Sequence, residues 1–272
     1  MTPYYQDAAV TLYHGDCREI LPQLPECAEL VFTSPPYPGA KMWNMTEAEL
    51  WALNEAAIDW SIKALRDGGV LAWQVADVPA GDHGVMLTTT TTTTTQAVYQ
   101  RGLKWRSHII WDKGITNPLP APCFMRRPAV LHLTHEHVLV FHKGDWKPRE
   151  AHWRPGLRGD WRLRSVWTIG PESAKAWDHL APFPEELARR VLDLFSLEEE
   201  TVLDPFTGTG TVLRVAKDLG RRAIGIEIEE KYCYIAAKRL EQETLQFEEK
   251  QVQSKHEMER RQIPLLGEGQ EE

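Results

Sequence analysis

Residues 201–227 leave this chain few folds to choose from. A short β-branched run, Thr201-Val-Leu203, leads into Asp204-Pro-Phe206-Thr-Gly208-Thr-Gly210-Thr211. Thr211–Leu219 then repeats apolar residues at helical spacing, Ala223–Ile226 reads as another strand, and an acid, Glu227, follows. Two glycines between a strand and a helix let the backbone turn sharply and approach a ligand closely, and a helix N-terminus offers free N–H groups. Glu227 stands nineteen residues after Gly208. At that distance nucleotide-binding βαβ units place an acid for ribose hydroxyls. The third glycine position is Leu213, so the unit is not the dinucleotide fingerprint.

The rest of the chain repeats the alternation. Strands are expected at Val10–Tyr13, Glu29–Phe32, Val70–Trp73, Ser107–Trp111 and His137–Phe141. Helical periodicity marks Thr46–Leu65, where Thr46 and Glu49 form a capping-box pattern and Gly68-Gly69 stop the run, and also Pro184–Phe195 and Lys231–Leu240. Thr88–Thr95 is a homopolymer of a poor helix former; it reads as a loop or a helix start before helical Gln96–Gln100, and carries no chemistry. Asn117–Pro128 holds four prolines and is expected to be a loop, and 241–272 reads as a frayed helix and disordered tail. Strand–helix alternation throughout implies an α/β parallel sheet.

A length of 272 residues suits one domain with room for a small second module, and no run of about 18 apolar residues suggests a membrane span. The N-terminus lacks the basic start and apolar core of a secretory signal. Four scattered cysteines without a Cys-x-x-Cys argue against a disulfide framework or structural zinc; a reducing cytoplasm is expected. The net charge of −8 hides an asymmetry: residues 101–167 carry 13 Lys and Arg against five acids, and include Trp146, Trp153, Trp161 and Trp167. Such a block fits a polyanion, with Trp and Arg for stacking; the alternative is a solvated charged face.

A second motif, Thr33-Ser34-Pro35-Pro36-Tyr37, directly follows an expected strand. Consecutive prolines fix the backbone and remove donors, so nearby carbonyls need partners from elsewhere. A hydroxyl, a fixed carbonyl and an aromatic ring at a strand end suit a planar group bearing an amine; a Pro-rich turn is the plainer reading.

Together, Ser-Pro-Pro-Tyr early and Asp-Pro-Phe-x-Gly-x-Gly-Thr late resemble the S-adenosylmethionine-dependent DNA amino-methyltransferases, in the motif order of their β class. Gly15-Asp16-Cys17 resembles the element whose acid contacts the cofactor adenine. His179-Leu-Ala-Pro-Phe183-Pro184 resembles the element that wraps its methionine end, and His135–Gly144 the strand and turn before the target-recognition region. The resemblance covers roughly residues 10–240.

It implies a circularly permuted Rossmann-like methyltransferase fold, with seven strands, one of them antiparallel. Residues 1–143 would form the catalytic half, 144–177 a short target-recognition region and 178–240 the cofactor half. Asp16, Thr33, His179, Phe183, Pro184, Asp204, Phe206, Gly208, Gly210, Thr211 and Glu227 would bind S-adenosyl-L-methionine, with no metal. Ser34 Oγ and the Pro35 carbonyl, held by Pro36, would accept the amine hydrogens of a cytosine flipped out of double-stranded DNA, and Tyr37 would stack on it. Arg126, Arg127, Arg154, Arg158, Arg162 and Arg164 are the candidate DNA contacts. In this family Ser before Pro-Pro-Tyr usually accompanies cytosine N4; adenine N6 is the runner-up, and a non-catalytic DNA-binding relic a third reading.

Two other patterns are set aside. Pro122-Cys123 resembles the nucleophile pair of cytosine-C5 methyltransferases, but in the wrong order and without its partner motif. His132, His135, His137 and His142 suggest a metal, yet Glu136 points away from the face that His135 and His137 share. In the tail, Gln262-Ile-Pro-Leu-Leu266 resembles the short peptides that bind the bacterial replication sliding clamp; it is either incidental or a docking peptide.

Overall fold

The computed structural model describes residues 1–37, 44–80, 86–88, 90–114, 134–145, 160–172 and 184–242. Met1–Glu241 is one compact unit. The strands are β1 (Tyr5–Gln6), β2 (Val10–His14), β3 (Ala28–Thr33), β4 (Leu65–Val75), β5 (Val78–Ala80), β6 (Met86–Thr88), β7 (Lys104–Asp112), β8 (His135–His142), β9 (Val166–Thr168), β10 (Thr201–Asp204) and β11 (Arg222–Glu227). The helices are α1 (Cys17–Ile20), α2 (Glu47–Ala64), α3 (Thr90–Gln100), α4 (Glu185–Phe195), α5 (Thr211–Asp218) and α6 (Glu230–Glu241).

Among the described residues, nine strands form one sheet in the order β1-β2-β11-β10-β3-β4-β8-β7-β9. Strands β2 to β7 in that row are the seven expected, with β8 antiparallel to both neighbours. The count of seven is corrected by two short edge strands, β1, antiparallel to β2, and β9, parallel to β7. The pair β5–β6 forms a separate ribbon that no sequence pattern announced.

Side chains alternate across the strands. Leu30, Phe32, Val70, Ala72, Val138 and Val140 join one core with α4, α5 and α6. Val31, Leu71, Trp73, Leu139 and Phe141 join the other, with α2 and Val98 of α3. Strands buried on both faces suit a largely parallel sheet between two helical layers.

Helix α2 begins as expected: Thr46 Oγ1 accepts from the Glu49 amide, and the Glu49 carboxylate accepts from the Thr46 amide. It ends at Ala64, before the glycines. Leu65 already pairs with Ala28, and the register then skips so that Val70 meets Leu30. Gly68-Gly69 therefore shape a bulge within β4 and do not stop the helix. Most of the threonine run is helix, since α3 buries Thr90, Thr94, Ala97 and Val98 on one face, and Asp77 Oδ1 accepts from the Thr91 amide. Burial at this spacing outweighs the weak helix propensity of Thr.

Trp161 and Trp167 are not free for stacking on a polyanion. Their rings meet edge to face at 5.5 Å, Trp167 is buried, and its Nε1 donates to the carbonyls of Trp161 and Arg164. Among the described residues no helix is long and apolar enough to cross a membrane.

Candidate active site

The two motifs meet at the middle of the sheet. Strands β3 and β10 are parallel neighbours, so their C-terminal ends, Thr33 and Asp204, lie side by side. From this pair the chain winds one way through β11 and the other through β4, which makes the ends of β3 and β10 a switch point of the kind where open α/β sheets bind ligands. Thr33 Oγ1 donates to Asp204 Oδ1 at 2.6 Å, and the Phe206 amide donates to the same oxygen at 3.1 Å. Burial pushes the Asp204 carboxyl up to about 7, against the pull of these two donors.

The glycine loop is built for close approach. Gly210 caps α5 at φ +83, and a Cβ there would come within 2.9 Å of Ala236 Cβ. The Gly208 amide donates to Glu227 Oε2 at 2.7 Å and the Glu229 amide to Oε1 at 2.8 Å. Burial raises the Glu227 pKa while these amides oppose it. A carboxylate offers about four lone-pair sites. The Gly208 and Glu229 amides take two and the Ile228 amide also faces the carboxylate, which leaves Glu227 some acceptor capacity for hydroxyls. Ile228 beside it is 59% exposed.

Asp16 lies in the same corner: Gly15 donates its amide to the Glu227 carbonyl, and the Asp16 carboxylate caps α1 and accepts from the Arg18 guanidinium. The Arg18 bonds hold the Asp16 pKa below its usual value. Pro184 caps α4, its carbonyl accepting from Leu187 and Ala188. His179 and Phe183, expected beside it, lie outside the described residues.

The Ser-Pro-Pro-Tyr turn is pinned from several sides. Asn54 of α2 donates from Nδ2 to the Pro36 carbonyl at 3.0 Å. Tyr37 OH lies 3.0 Å from Ser34 Oγ, 2.8 Å from Gln74 Oε1 and 3.2 Å from Glu136 Oε2. Gln74 Nε2 donates to Glu136 Oε2, and Lys113 pairs with Glu136 Oε1. Burial, with the neighbouring Glu136 charge, raises the Tyr37 pKa well above 10, so the phenol stays neutral.

The sequence had offered Ser34, Pro35, Pro36 and the Tyr37 ring. Asn54, Gln74, Lys113 and Glu136 were missed, although each of the first, second and fourth left a trace. Gln74 interrupts the apolar run Val70–Val75, Asn54 lies on the buried stripe of α2, and Glu136 sits on the strand face opposite the histidines.

Arg239 was missed as well. This buried arginine of α6 donates from Nη1 to the Thr209 carbonyl and the hydroxyls of Thr209 and Thr211, and from Nη2 to Glu185 at the start of α4. It braces the glycine loop from behind.

Of the candidate DNA contacts, Arg162 is engaged within the fold. It lies over the Trp161 ring at 5.1 Å and pairs with Asp193 at 3.8 Å. Arg164 is exposed. Arg126, Arg127, Arg154, Arg158, Trp146, Trp153, Cys123, His132 and Gln262–Leu266 lie outside the described residues. The rings of His135 and His137 do meet, 4.9 Å apart, with His108 Nε2 2.9 Å from His137 Nδ1. Among the described residues no group of three or more His, Cys, Asp or Glu is placed to hold a metal ion.

Comparison with known proteins bears on the whole arrangement. Residues 28–238 match the model of the N6/N4 methyltransferase family, described as DNA methylase. The Type II methyltransferase M2.DpnII of Streptococcus pneumoniae is 29% identical, over 89% of this chain and 93% of its own. M.MjaI of Methanocaldococcus jannaschii is 28% identical over 79% and 86%. Among solved structures, the DNA modification methylase TTHA0409 of Thermus thermophilus, complexed with S-adenosyl-L-methionine, aligns with a TM-score of 0.69 at 28% identity, over 87% of this chain and 95% of its own. The cytosine-N4-specific PvuII DNA methyltransferase aligns at 0.68 and 19% identity over 93% of each chain, a likeness of fold. With both motifs, the sheet that joins them and a family match over most of its length, this chain belongs to the N6/N4 DNA methylase family.

Proposed function

We propose that the chain transfers a methyl group from S-adenosyl-L-methionine to the exocyclic N4 of a cytosine flipped out of duplex DNA. The observation that carries the choice of base is Ser34, a neutral hydroxyl beyond the end of β3 where an acid would suit adenine. Residues at the ends of β2, β10 and β11 fit the cofactor. Glu227 has lone pairs to spare for ribose hydroxyls, Asp16 is an acceptor for the adenine amine, and Ile228 offers an apolar face to the ring. Bound there, the cofactor supplies an electrophilic sulfonium methyl group.

The chain's own part is positioning and polarisation. The cytosine amine is a weak nucleophile because its lone pair is delocalised into the ring. Ser34 Oγ and the Pro35 carbonyl accept its two hydrogens and draw the nitrogen towards tetrahedral geometry. Among the described residues no donor reaches the Pro35 carbonyl, whereas Asn54 takes the carbonyl of Pro36. The half-buried Tyr37 ring gives the flipped base a stacking face. No covalent bond between enzyme and base is required. Arg164, with Arg126, Arg127, Arg154 and Arg158, is assigned to the DNA backbone and base edges.

The test is nucleoside analysis and single-molecule sequencing of DNA from cells expressing the chain. N4-methylcytosine at a fixed site is expected; N6-methyladenine would overturn the base assignment, and unmodified DNA the activity. Ser34→Ala is expected to slow transfer about 100-fold with cofactor affinity retained.

A further inference from the structure

We infer that Lys113, Glu136 and Gln74 are positioning residues that fix which way the Ser34 hydroxyl points its proton, and so commit Ser34 to accepting hydrogen bonds from the target amine. The inference rests on the role proposed for Ser34. It concerns a chain of contacts running from Lys113, at the end of β7, through Glu136 of β8 and Gln74 of β4 to Tyr37 and Ser34.

Each contact in the chain has only one allowed direction. The Lys113 ammonium only donates, and an ionised carboxylate only accepts. Lys113 therefore donates to Glu136 Oε1, and Glu136 Oε2 needs a donor from Gln74. That orients the Gln74 amide, with Nε2 towards Glu136 and Oε1 towards Tyr37. A phenol has one proton, and both Gln74 Oε1 at 2.8 Å and Glu136 Oε2 at 3.2 Å are acceptors facing it. The Tyr37 proton is committed to them, so at its 3.0 Å contact with Ser34 the phenol oxygen can only accept. Ser34 must give its one proton to Tyr37. Its lone pairs are what remain, and they suit the N–H groups of an exocyclic amine.

Burial keeps this direction from being scrambled by solvent. The Glu136 side chain is 13% exposed and that of Lys113 23%. Gln74 is 1% exposed. The ammonium also lies 5.3 Å from the Trp111 ring centroid, a second favourable contact that holds it in place. A neutral Tyr37 is required throughout, and its raised pKa agrees.

Glu136→Gln is the informative change because it preserves shape while removing the enforced direction; it also removes the charge paired with Lys113, and the Tyr37→Phe background separates that loss from the relay. A glutamine there can donate to Gln74, whose amide can then turn over and donate to Tyr37. The Tyr37 proton would then point at Ser34, and the Ser34 proton at the amine, where a donor opposes a donor.

The experiment measures methyl transfer from tritiated S-adenosyl-L-methionine to unmethylated genomic DNA, cofactor affinity by calorimetry and melting temperature. It compares wild type, Ser34→Ala, Tyr37→Phe, Glu136→Gln and the Tyr37→Phe/Glu136→Gln double variant. Glu136→Gln is expected to lower kcat about tenfold with cofactor affinity unchanged. In the Tyr37→Phe background, where no hydroxyl connects Glu136 to Ser34, the same change is expected to cost nothing further. Full activity of Glu136→Gln, or an equal loss in both backgrounds, would overturn the relay while a slow Ser34→Ala leaves the role of Ser34 standing. A fully active Ser34→Ala would overturn that role and the relay with it. Should Glu136→Gln fail to fold, the paired change Lys113→Met/Glu136→Leu, which leaves neither charge unpaired and removes the acceptor that fixes the Gln74 amide, carries the same cycle and the same outcomes.

Discussion

Asp204 is where the demands of the site and of stability collide at a single residue. Its carboxyl titrates at about 7 in the folded chain because it is buried, against 3.8 for an unburied aspartate. Between those values the folded state holds a proton that the unfolded state has released. Stability therefore falls as pH rises from about 4 to about 7 and is flat above, at a cost on the order of 4 kcal/mol. Asp204→Asn keeps an oxygen for the Thr33 hydroxyl and the Phe206 amide without the charge. It is expected to stabilise the protein by up to a few kcal/mol at about pH 8 and by nearly nothing at about pH 4, read by urea denaturation at the two values. A stabilisation independent of pH would contradict the assignment. Burial raises the Glu227 pKa as well, while the Gly208 and Glu229 amides oppose it. Glu227→Ala is expected to weaken cofactor binding by about 1–3 kcal/mol in calorimetry; unchanged affinity would count against its ribose role.

Among the elements, α6 does more than cover the sheet, since Arg239 reaches from it to the glycine loop and to Glu185 of α4. Arg239→Met removes the donors from the Thr209 carbonyl and from two hydroxyls while keeping most of the volume. A loss of about 1–3 kcal/mol in chemical denaturation is expected, with weaker cofactor binding, because the loop loses its brace. What could be read in advance divides along the same line. The unit from β10 to β11 was legible because glycines, helix period and a spaced acid are all local signals. Gly225, too, is needed there, since a Cβ at that position would sit 2.5 Å from Leu213 Cδ2 and closer still to Thr207 Oγ1. Arg239, Gln74 and Glu136 were not legible, since a single polar residue on a helix or strand has no period, and its partner is fixed only by sheet order. The threonine helix was half legible for a related reason: propensity is local, whereas the burial of Thr90 and Thr94 is tertiary.

At the scale of the whole molecule, the compact unit ends at Glu241, and Leu240 is buried while its carbonyl accepts from Lys217. A chain stopped after Gln242 is expected to melt at the same temperature as the full chain and to methylate naked DNA at the same rate. A fall of several degrees would mean that residues 243–272 contribute to the fold.

The Thr33–Asp204 bond joins residues 171 positions apart, and with it β3 gains its central neighbour β10. During synthesis, then, the middle of the sheet is the last part to arrive. Until residues 201–227 have left the ribosome, β3 has a bare edge, and β2 has no link to β3, because β11 and β10 lie between them. Two strands with exposed pairing edges must wait for more than half the chain to be made. Contacts of such high sequence separation slow folding and lengthen the time in which those edges can meet another molecule. The permuted order that brings the Ser-Pro-Pro-Tyr turn out first thus delays its meeting with the glycine loop until nearly the whole protein exists, so a nascent or truncated chain carries the one motif without the other beside it.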